Sequence, residues 1–172
     1  MRITRRAGLA LIAAVGVIGC RADSPFAVPP APAADQTVDS VLQGLSLLRC
    51  TPLPADTATQ TIGPWGGILQ VGPHRLIVPA GALATPVTIT AVLPSDSVNR
   101  IEFQPEGLTF AQPAYLRLSY ANCSGLGTWL PKQVVYTNDA LEILESVLSF
   151  DNPWTDAVTG QIRHFSSYAI AW

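Results

Sequence analysis

Short runs in which apolar residues recur at alternate positions fill the chain from about residue 62 to its end. In one run Val87, Ile89, Ala91 and Leu93 alternate with smaller or polar residues. Other runs rich in apolar residues lie at 68–71, 75–78, 115–120, 134–136, 141–143 and 161–172. Because successive side chains of a strand point to opposite faces, this pattern predicts strands with one buried face.

Turn-forming residues separate these runs at regular intervals. Gly72-Pro73 lies between the runs 68–71 and 75–78, and Asn138-Asp139 predicts a hairpin turn after 134–136. Residues 140–148 also have helix propensity, so a helix is the alternative to a strand there. The expected fold class is all-β, an antiparallel β-sandwich over residues 62–172 with a short N-terminal helix.

The predicted helix lies before the strands, in residues 37–49. Its apolar residues follow a 3.6-residue period, at Val38, Val41, Leu42, Leu45 and Leu48. Thr51-Pro52 ends it, because proline has no N–H to continue the helix. Residues 37–61 are therefore assigned to a short helix and a linker, and the Pro/Ala-rich residues 20–36 to an extended tether.

The first 19 residues have the organisation of a bacterial export signal. Arg2, Arg5 and Arg6 precede an apolar run of about 12 residues, which is too short to span a bilayer. The run ends in Val17-Ile18-Gly19-Cys20, which resembles the lipobox of bacterial lipoproteins. The resemblance implies cleavage before Cys20 and lipidation of Cys20; the alternative is an ordinary secretory leader with a chance cysteine.

Several acyl chains would fix the protein lastingly to a membrane of the cell envelope. Sec export is expected, since the residues after Thr4-Arg5-Arg6 fit a twin-arginine signal poorly. Arg21 follows the cysteine, where an aspartate is the familiar signal for retention in the inner membrane. The outer membrane is therefore the expected location in a cell that has one.

Two further cysteines, Cys50 and Cys123, remain once Cys20 is lipidated. Two thiols in an oxidising compartment predict one intramolecular disulfide. Two buried free thiols, or a pairing between chains, are the alternatives.

The charge balance excludes some partners. Without the three leader arginines, seven Lys and Arg face twelve Asp and Glu, a net charge near −5. A nucleic-acid partner would require a basic footprint, so none is expected. The same balance disfavours loose electrostatic docking on anionic lipid, which leaves the lipid anchor as the expected membrane contact.

Several motifs follow one another in the predicted β region. They are Trp65-Gly66-Gly67, Pro79-Ala80-Gly81-Ala82-Leu83, Pro105-Glu106-Gly107-Leu108-Thr109-Phe110 with Pro113, and His164-Phe165-Ser166-Ser167-Tyr168. Their order and spacing resemble a ZU5 domain over residues 62–172. The resemblance implies a β-sandwich that binds proteins or braces neighbouring domains, and it implies no particular ligand.

One motif carries candidate chemistry. Some proteins that contain ZU5 or related domains cleave themselves between Phe and Ser of a His-Phe-Ser sequence, by an N-to-O acyl shift. The resemblance makes Ser166 the nucleophile, Phe165 the acyl residue and His164 the base. The alternative is that these residues only form the final strands, since seven residues, 166–172, follow the bond.

No other catalytic or cofactor motif is evident. His74, expected at a strand edge, and His164 are the only histidines, and no metal site or cofactor is expected. Glu142 and Glu145 are expected on a solvated face, and Asp151-Asn152 with Asp156 in a turn rather than a calcium loop.

Trp65, Trp129, Trp154 and Trp172 are scattered, which favours packing over a carbohydrate platform, with Trp129 and Trp154 the ones expected in loops. The expected function is a non-enzymatic binding or structural module in the envelope, with another protein or envelope component as partner and no small-molecule substrate. Self-processing at Ser166 and carbohydrate binding are the alternatives.

Overall fold

The computed structural model describes residues 45–124 and 129–172, and in these residues the backbone forms eleven β-strands. The strands are β1 (Asp56–Ile62), β2 (Gly67–Val71), β3 (His74–Val78), β4 (Val87–Leu93), β5 (Arg100–Gln104), β6 (Thr109–Ser119), β7 (Gln133–Thr137), β8 (Ile143–Ser146), β9 (Ser149–Asn152), β10 (Ala157–His164) and β11 (Ser167–Ala171). The predicted leader, Cys20 and the tether lie outside the described residues.

Two antiparallel sheets pack as a sandwich, which confirms the predicted fold class. The six-stranded sheet has the order β1-β4-β5-β11-β7-β8, and the five-stranded sheet has the order β2-β3-β6-β10-β9. Alternation drives the packing: in β4, Ile89, Ala91 and Leu93 are buried and the residues between them are not. The inward residues of both sheets form one apolar core whose largest members are Tyr168, Phe103 and Phe165.

The predicted hairpin turn at Asn138-Asp139 is confirmed. The side-chain oxygen of Asn138 accepts from the backbone N–H of Glu142 at 2.9 Å, and its carbonyl accepts from Leu141 N–H at 3.0 Å. These bonds direct the chain into β8, so the helix propensity of residues 140–148 yields to antiparallel pairing with β7.

The short helix predicted over 37–49 is wrong for residues 45–49, the part of it that the structure describes. Residues 37–44 lie outside the described residues, and residues 45–49 are not helical. Instead Ser46 exchanges backbone hydrogen bonds with Trp172, and Leu48 N–H donates to the carbonyl of Ile170. The main-chain groups that a helix would use internally are satisfied by this pairing.

The disulfide between Cys50 and Cys123 is present and lies within one chain. Leu45 and Leu47, just before it, pack on a small apolar cluster formed by Val135 and Ala169 on the outer face of the six-stranded sheet. The six-stranded sheet also includes β1, and all of β1 except Ile62 lies in the stretch 37–61 that the sequence assigned to helix and linker.

Candidate functional site

The His164-Phe165-Ser166 motif lies at a corner where the chain leaves one sheet and enters the other. His164 is the last residue of β10 in the five-stranded sheet, and Ser167 is the first residue of β11 in the six-stranded sheet. The register between β10 and β6 shifts beside this corner, between Ile162 and His164. Phe165 and Ser166 therefore form the crossing itself.

Phe165 is fully buried in an aromatic cluster. Its ring stacks on Phe103, with centroids 4.7 Å apart, and meets the edge of Phe110 at 5.1 Å. Rings in these arrangements stabilise one another beyond the area they bury. The side chain of Phe165 is therefore a central element of the core.

Main-chain hydrogen bonds hold both sides of the Phe165–Ser166 peptide. The Phe165 N–H donates to Leu108 O at 2.8 Å, and the Phe165 carbonyl accepts from Gly107 N–H at 3.1 Å. Phe103 N–H donates to the Ser166 carbonyl at 3.2 Å. Gly107, which donates to that carbonyl, has a positive φ of +73°. A donor on the Phe165 carbonyl is what stabilises negative charge that develops there.

The imidazole of His164 makes aromatic contacts instead of a contact with the serine hydroxyl. It meets the ring of Tyr136 edge-on at 5.4 Å and lies 6.1 Å from the ring of Tyr168. Tyr168 donates its hydroxyl to the His164 carbonyl at 2.7 Å, and burial raises the pKa of this phenol, so it stays protonated. Among the described residues no hydrogen bond joins His164 and Ser166.

His74 is a core residue, which corrects its expected place at a strand edge. It alternates inward with Leu76 and Val78 in β3 and has no exposed surface. Its Nδ1 accepts from Ser119 N–H at 3.1 Å, which places the proton of the neutral ring on Nε2. Burial, with a smaller effect of the Arg117 charge, lowers the pKa of His74 to about 4.

Asp151 and Asn152 are the last two residues of β9, which corrects the turn expected for them. Asp151 accepts from the Tyr120 hydroxyl at 2.8 Å and from Lys132 N–H at 3.0 Å. Asn152 accepts from Trp154 N–H at 3.1 Å and so caps a short 3-10 turn that Asp156 ends in a left-handed conformation. In residues 45–124 and 129–172 no three His, Cys, Asp or Glu side chains are grouped to hold a metal ion.

Among the described residues, large apolar side chains are exposed mainly in one segment. Trp129, Trp154 and Trp65 are 88%, 95% and 92% exposed. Six exposed large apolar residues fall within residues 129–154, and we call them the apolar edge: Trp129, Leu130, Leu144, Leu148, Phe150 and Trp154. The segment contains β8 and β9, each the last strand of its sheet, so the apolar edge borders two open strand edges.

A polar network joins the two ends of the apolar edge. The contact of Asp151 with Lys132 N–H ties the backbone near Trp129 to β9, and the cap at Asn152 positions the turn that carries Trp154. Lys132 also lies over the ring of Tyr120, with its Nζ 4.8 Å from the ring centre. The two tryptophans, which the sequence places in loops, therefore lie at the same end of the sandwich.

A scan against protein-family models finds no match for this chain, and a search of curated proteins also finds none. The described residues include no helix with the length and apolar character needed to cross a bilayer.

Proposed function

We propose that this chain is an envelope lipoprotein, anchored by a lipid on Cys20, whose ZU5-like β-sandwich is a non-enzymatic module that binds another protein. The single observation that carries the binding role is the apolar edge. Scattered exposed apolar residues are normal on a soluble protein, whereas a concentration of them typifies an interaction site.

The chemistry of the apolar edge favours a protein as partner. Phe150 and Leu148 supply exposed apolar side chains beside β9, and β9 pairs with β10 on one side only. An open strand offers unpaired N–H and C=O groups to an incoming strand, and neighbouring apolar side chains add specificity. A partner with an extended apolar segment matches both features.

Site-specific photo-crosslinking of the full-length protein in intact cells tests the binding surface. A crosslinker at Phe150 or Trp154 is expected to give a discrete protein adduct, and one at Trp65 is the matched control, because Trp65 is as exposed but lies outside the apolar edge. Phe150→Ser should then abolish the adduct formed from position 154. Equal labelling from positions 65, 150 and 154 would count against the proposal.

The anchor has its own test. Cys20→Ser is expected to leave the protein in the soluble envelope fraction and to abolish incorporation of labelled palmitate. Cys50→Ser and Cys123→Ser serve as controls, since those thiols form the disulfide. Retention of label in Cys20→Ser would remove the anchor from the proposal and leave the binding surface unaffected.

Carbohydrate binding is a second candidate, favoured by the exposure of Trp129 and Trp154 at one end of the sandwich. Flat aromatic rings such as those of Trp129 and Trp154 suit the apolar face of a sugar ring. Binding on a glycan array that is lost in Trp154→Ala but kept in Trp65→Ala would favour this function. Silence across the array would remove it.

Self-cleavage at Phe165–Ser166 is the remaining candidate, favoured by the Gly107 N–H on the Phe165 carbonyl. Intact mass of the denatured protein decides it. Release of the seven-residue fragment 166–172, absent in Ser166→Ala, would establish cleavage, and an undivided chain would dismiss it.

A further inference from the structure

A cleft of about 200 Å³ lies at the ends of β5, β7 and β11, next to the His164-Phe165-Ser166 corner. Thr137 and Ser167 line it, and they are directly opposite each other across the β7–β11 pair. By alternation they share the outer face of the six-stranded sheet with Val135 and Ala169. Glu102, the partner of Ser167 on β5, lines the same cleft.

Two buried hydroxyls in the cleft, those of Thr137 and Ser167, have no hydrogen-bond partner. Thr137 is 1% exposed, and neither its Oγ1 nor the Oγ of Ser167 is paired, although both atoms are buried. Buried polar groups are nearly always hydrogen-bonded, so an unpaired pair side by side requires an explanation.

Facing hydroxyls elsewhere in the same sheet behave differently. Thr59 pairs with Thr90, and Thr61 with Thr88, each with 2.9 Å between the two hydroxyl oxygens, across the β1–β4 register. These exposed pairs satisfy each other. Thr137 and Ser167 face each other in the same cross-strand relation, but their hydroxyls do not hydrogen-bond to each other. Both oxygens can therefore accept a hydrogen bond from a group that enters the cleft.

The lining of the cleft is acidic. Glu102, Glu106 and Asp139 contribute to it, and none of the residues that line it is a lysine, arginine or histidine. Arg100 forms an ion pair with Glu102 and a second with Asp96. Glu106 and Asp139 belong to turns and are exposed, so their carboxylates are available at the mouth of the cleft.

We propose that this cleft binds a primary ammonium group, such as that of a lysine side chain or an amino sugar. An ammonium has three donors and no acceptor. The oxygens of Thr137 and Ser167 accept two of them, and the carboxylates at the mouth supply the opposite charge. Hydrogen bonds to a charged group are stronger than neutral ones, which suits a small site. None of the apolar edge residues lines the cleft, so this proposal does not depend on the proposed function.

Titration of the full-length protein in detergent tests the site, with NMR of the Thr137 and Ser167 amides as readout. The probes are glucosamine and Nα-acetyl-lysine amide, with glucose and Nα-acetyl-norleucine amide as neutral matches. We expect saturable shifts with an amine and none with its neutral match. Binding of glucosamine alone assigns the amine to a sugar, and binding of the lysine derivative alone assigns it to a protein or peptide.

Matched variants locate the binding. Thr137→Val removes one acceptor at nearly constant shape and should lower the affinity for the amine about tenfold or more. It should also raise the Tm of the free protein, because an unpaired buried hydroxyl is lost. Thr88→Val removes an exposed hydroxyl that is paired with Thr61, and it should leave amine affinity unchanged. Asp139→Asn alters only an exposed turn residue. It should lower the affinity for the amine and make that affinity less dependent on salt concentration.

The proposal is overturned if neither amine shifts these amides, or if glucose binds as well as glucosamine. It is overturned equally if Asp139→Asn and Thr137→Val bind the amine as the unaltered protein does. If calcium produced these amide shifts and neither amine did, the cleft would be a cation site of another kind, and this too would contradict the proposal.

Discussion

At the scale of single residues, Phe165 and Ser166 share one peptide bond and contribute very differently. The ring of Phe165 stacks within the core on Phe103, while no hydrogen bond of the Ser166 hydroxyl is found among the described residues. The structural and catalytic interpretations of this motif therefore make opposite predictions for the two side chains.

Phe165→Ala is expected to lower the free energy of unfolding by about 3–5 kcal/mol, because it removes a buried ring and leaves a cavity. Ser166→Ala should change it by less than about 1 kcal/mol. Urea unfolding of the full-length protein measures both. A loss in Ser166→Ala as large as that in Phe165→Ala would contradict this account of the corner.

His74 makes the stability of the fold depend on pH. Its pKa in the folded protein is about 4, below the ordinary value of 6.5 that applies in the unfolded chain. Below pH 6.5 the unfolded chain takes up a proton that the folded state does not, so stability falls as the pH falls from 6.5 towards 4. We expect a loss of about 2 kcal/mol between pH 7 and pH 5.

Urea unfolding at these two pH values, repeated on His74→Asn, isolates the effect. The side-chain oxygen of asparagine is bonded to Cγ, as Nδ1 is, so it offers Ser119 N–H an acceptor but does not titrate. The pH dependence of stability in this window should therefore flatten even if overall stability drops. An unchanged pH dependence in the variant would assign the effect to other groups.

At the scale of strands, alternation in the sequence predicted the runs that became β2, β3, β4, β6, β7, β10 and β11. It missed β1 because most residues of Asp56–Ile62 are polar and exposed. This strand is held by its backbone ladder with β4, with threonine hydroxyl pairs added, and it presents no continuous apolar face to the sequence pattern. It missed β9 because Phe150, its one large apolar residue, points to solvent. The alternation in Arg100–Gln104 was a signal that would have found β5.

The stretch 45–49 shows why apolar spacing alone misassigned an element. Leu45 and Leu48 fit a helical period, but they also fit an extended segment that packs on two surfaces. Leu48 enters the main core, and Leu45 and Leu47 cover the outer apolar cluster. Pairing with β11 involves residues more than 120 positions away, which local periodicity does not register.

Two glycines in turns distinguish the cost of a positive φ from the cost of a steric clash. Gly66 and Gly107 both have positive φ, at +76° and +73°. A Cβ on Gly66 would lie 2.3 Å from the Val78 carbonyl oxygen, whereas one on Gly107 would meet nothing within 4 Å. Gly107→Ala should cost about 1–2 kcal/mol from φ alone, and Gly66→Ala clearly more.

Thermal or urea unfolding of the two alanine variants, side by side, provides the measurement. Each is the other's control, because the change in side chain and the sign of φ are the same. Equal destabilisation would show that the β1–β2 turn yields to accommodate the methyl group.

At the scale of the whole molecule, the sandwich was predictable from the sequence and its surfaces were not. The sequence picked out Trp129 and Trp154 as loop tryptophans, and the structure adds Phe150 and Leu148, whose exposure depends on β9 being the last strand of its sheet. The cleft at Thr137 and Ser167 left no sequence signal, because its residues come from three strands brought together by the sheet order.

The Cys50–Cys123 disulfide should contribute about 4 kcal/mol to stability in the chain-entropy model, because it closes a loop between residues 73 positions apart. The double variant Cys50→Ser/Cys123→Ser, compared with Cys20→Ser in urea unfolding, measures this. The double variant should unfold at clearly lower urea, and Cys20→Ser should unfold as the unaltered sandwich does. A double variant as stable as Cys20→Ser would mean that the closed loop adds nothing.

The same disulfide decides how mechanical tension crosses the protein. With the chain held on its N-terminal side and a partner holding the apolar edge, force enters at Cys50 and passes through the sulfur–sulfur link to Cys123, a few residues before Trp129. Strands β1 to β6 all lie inside the bridged loop, so the covalent path of the force bypasses their backbone. Under oxidising conditions more than half of the sandwich is thus shielded from pulling, and reduction of one bond would expose it.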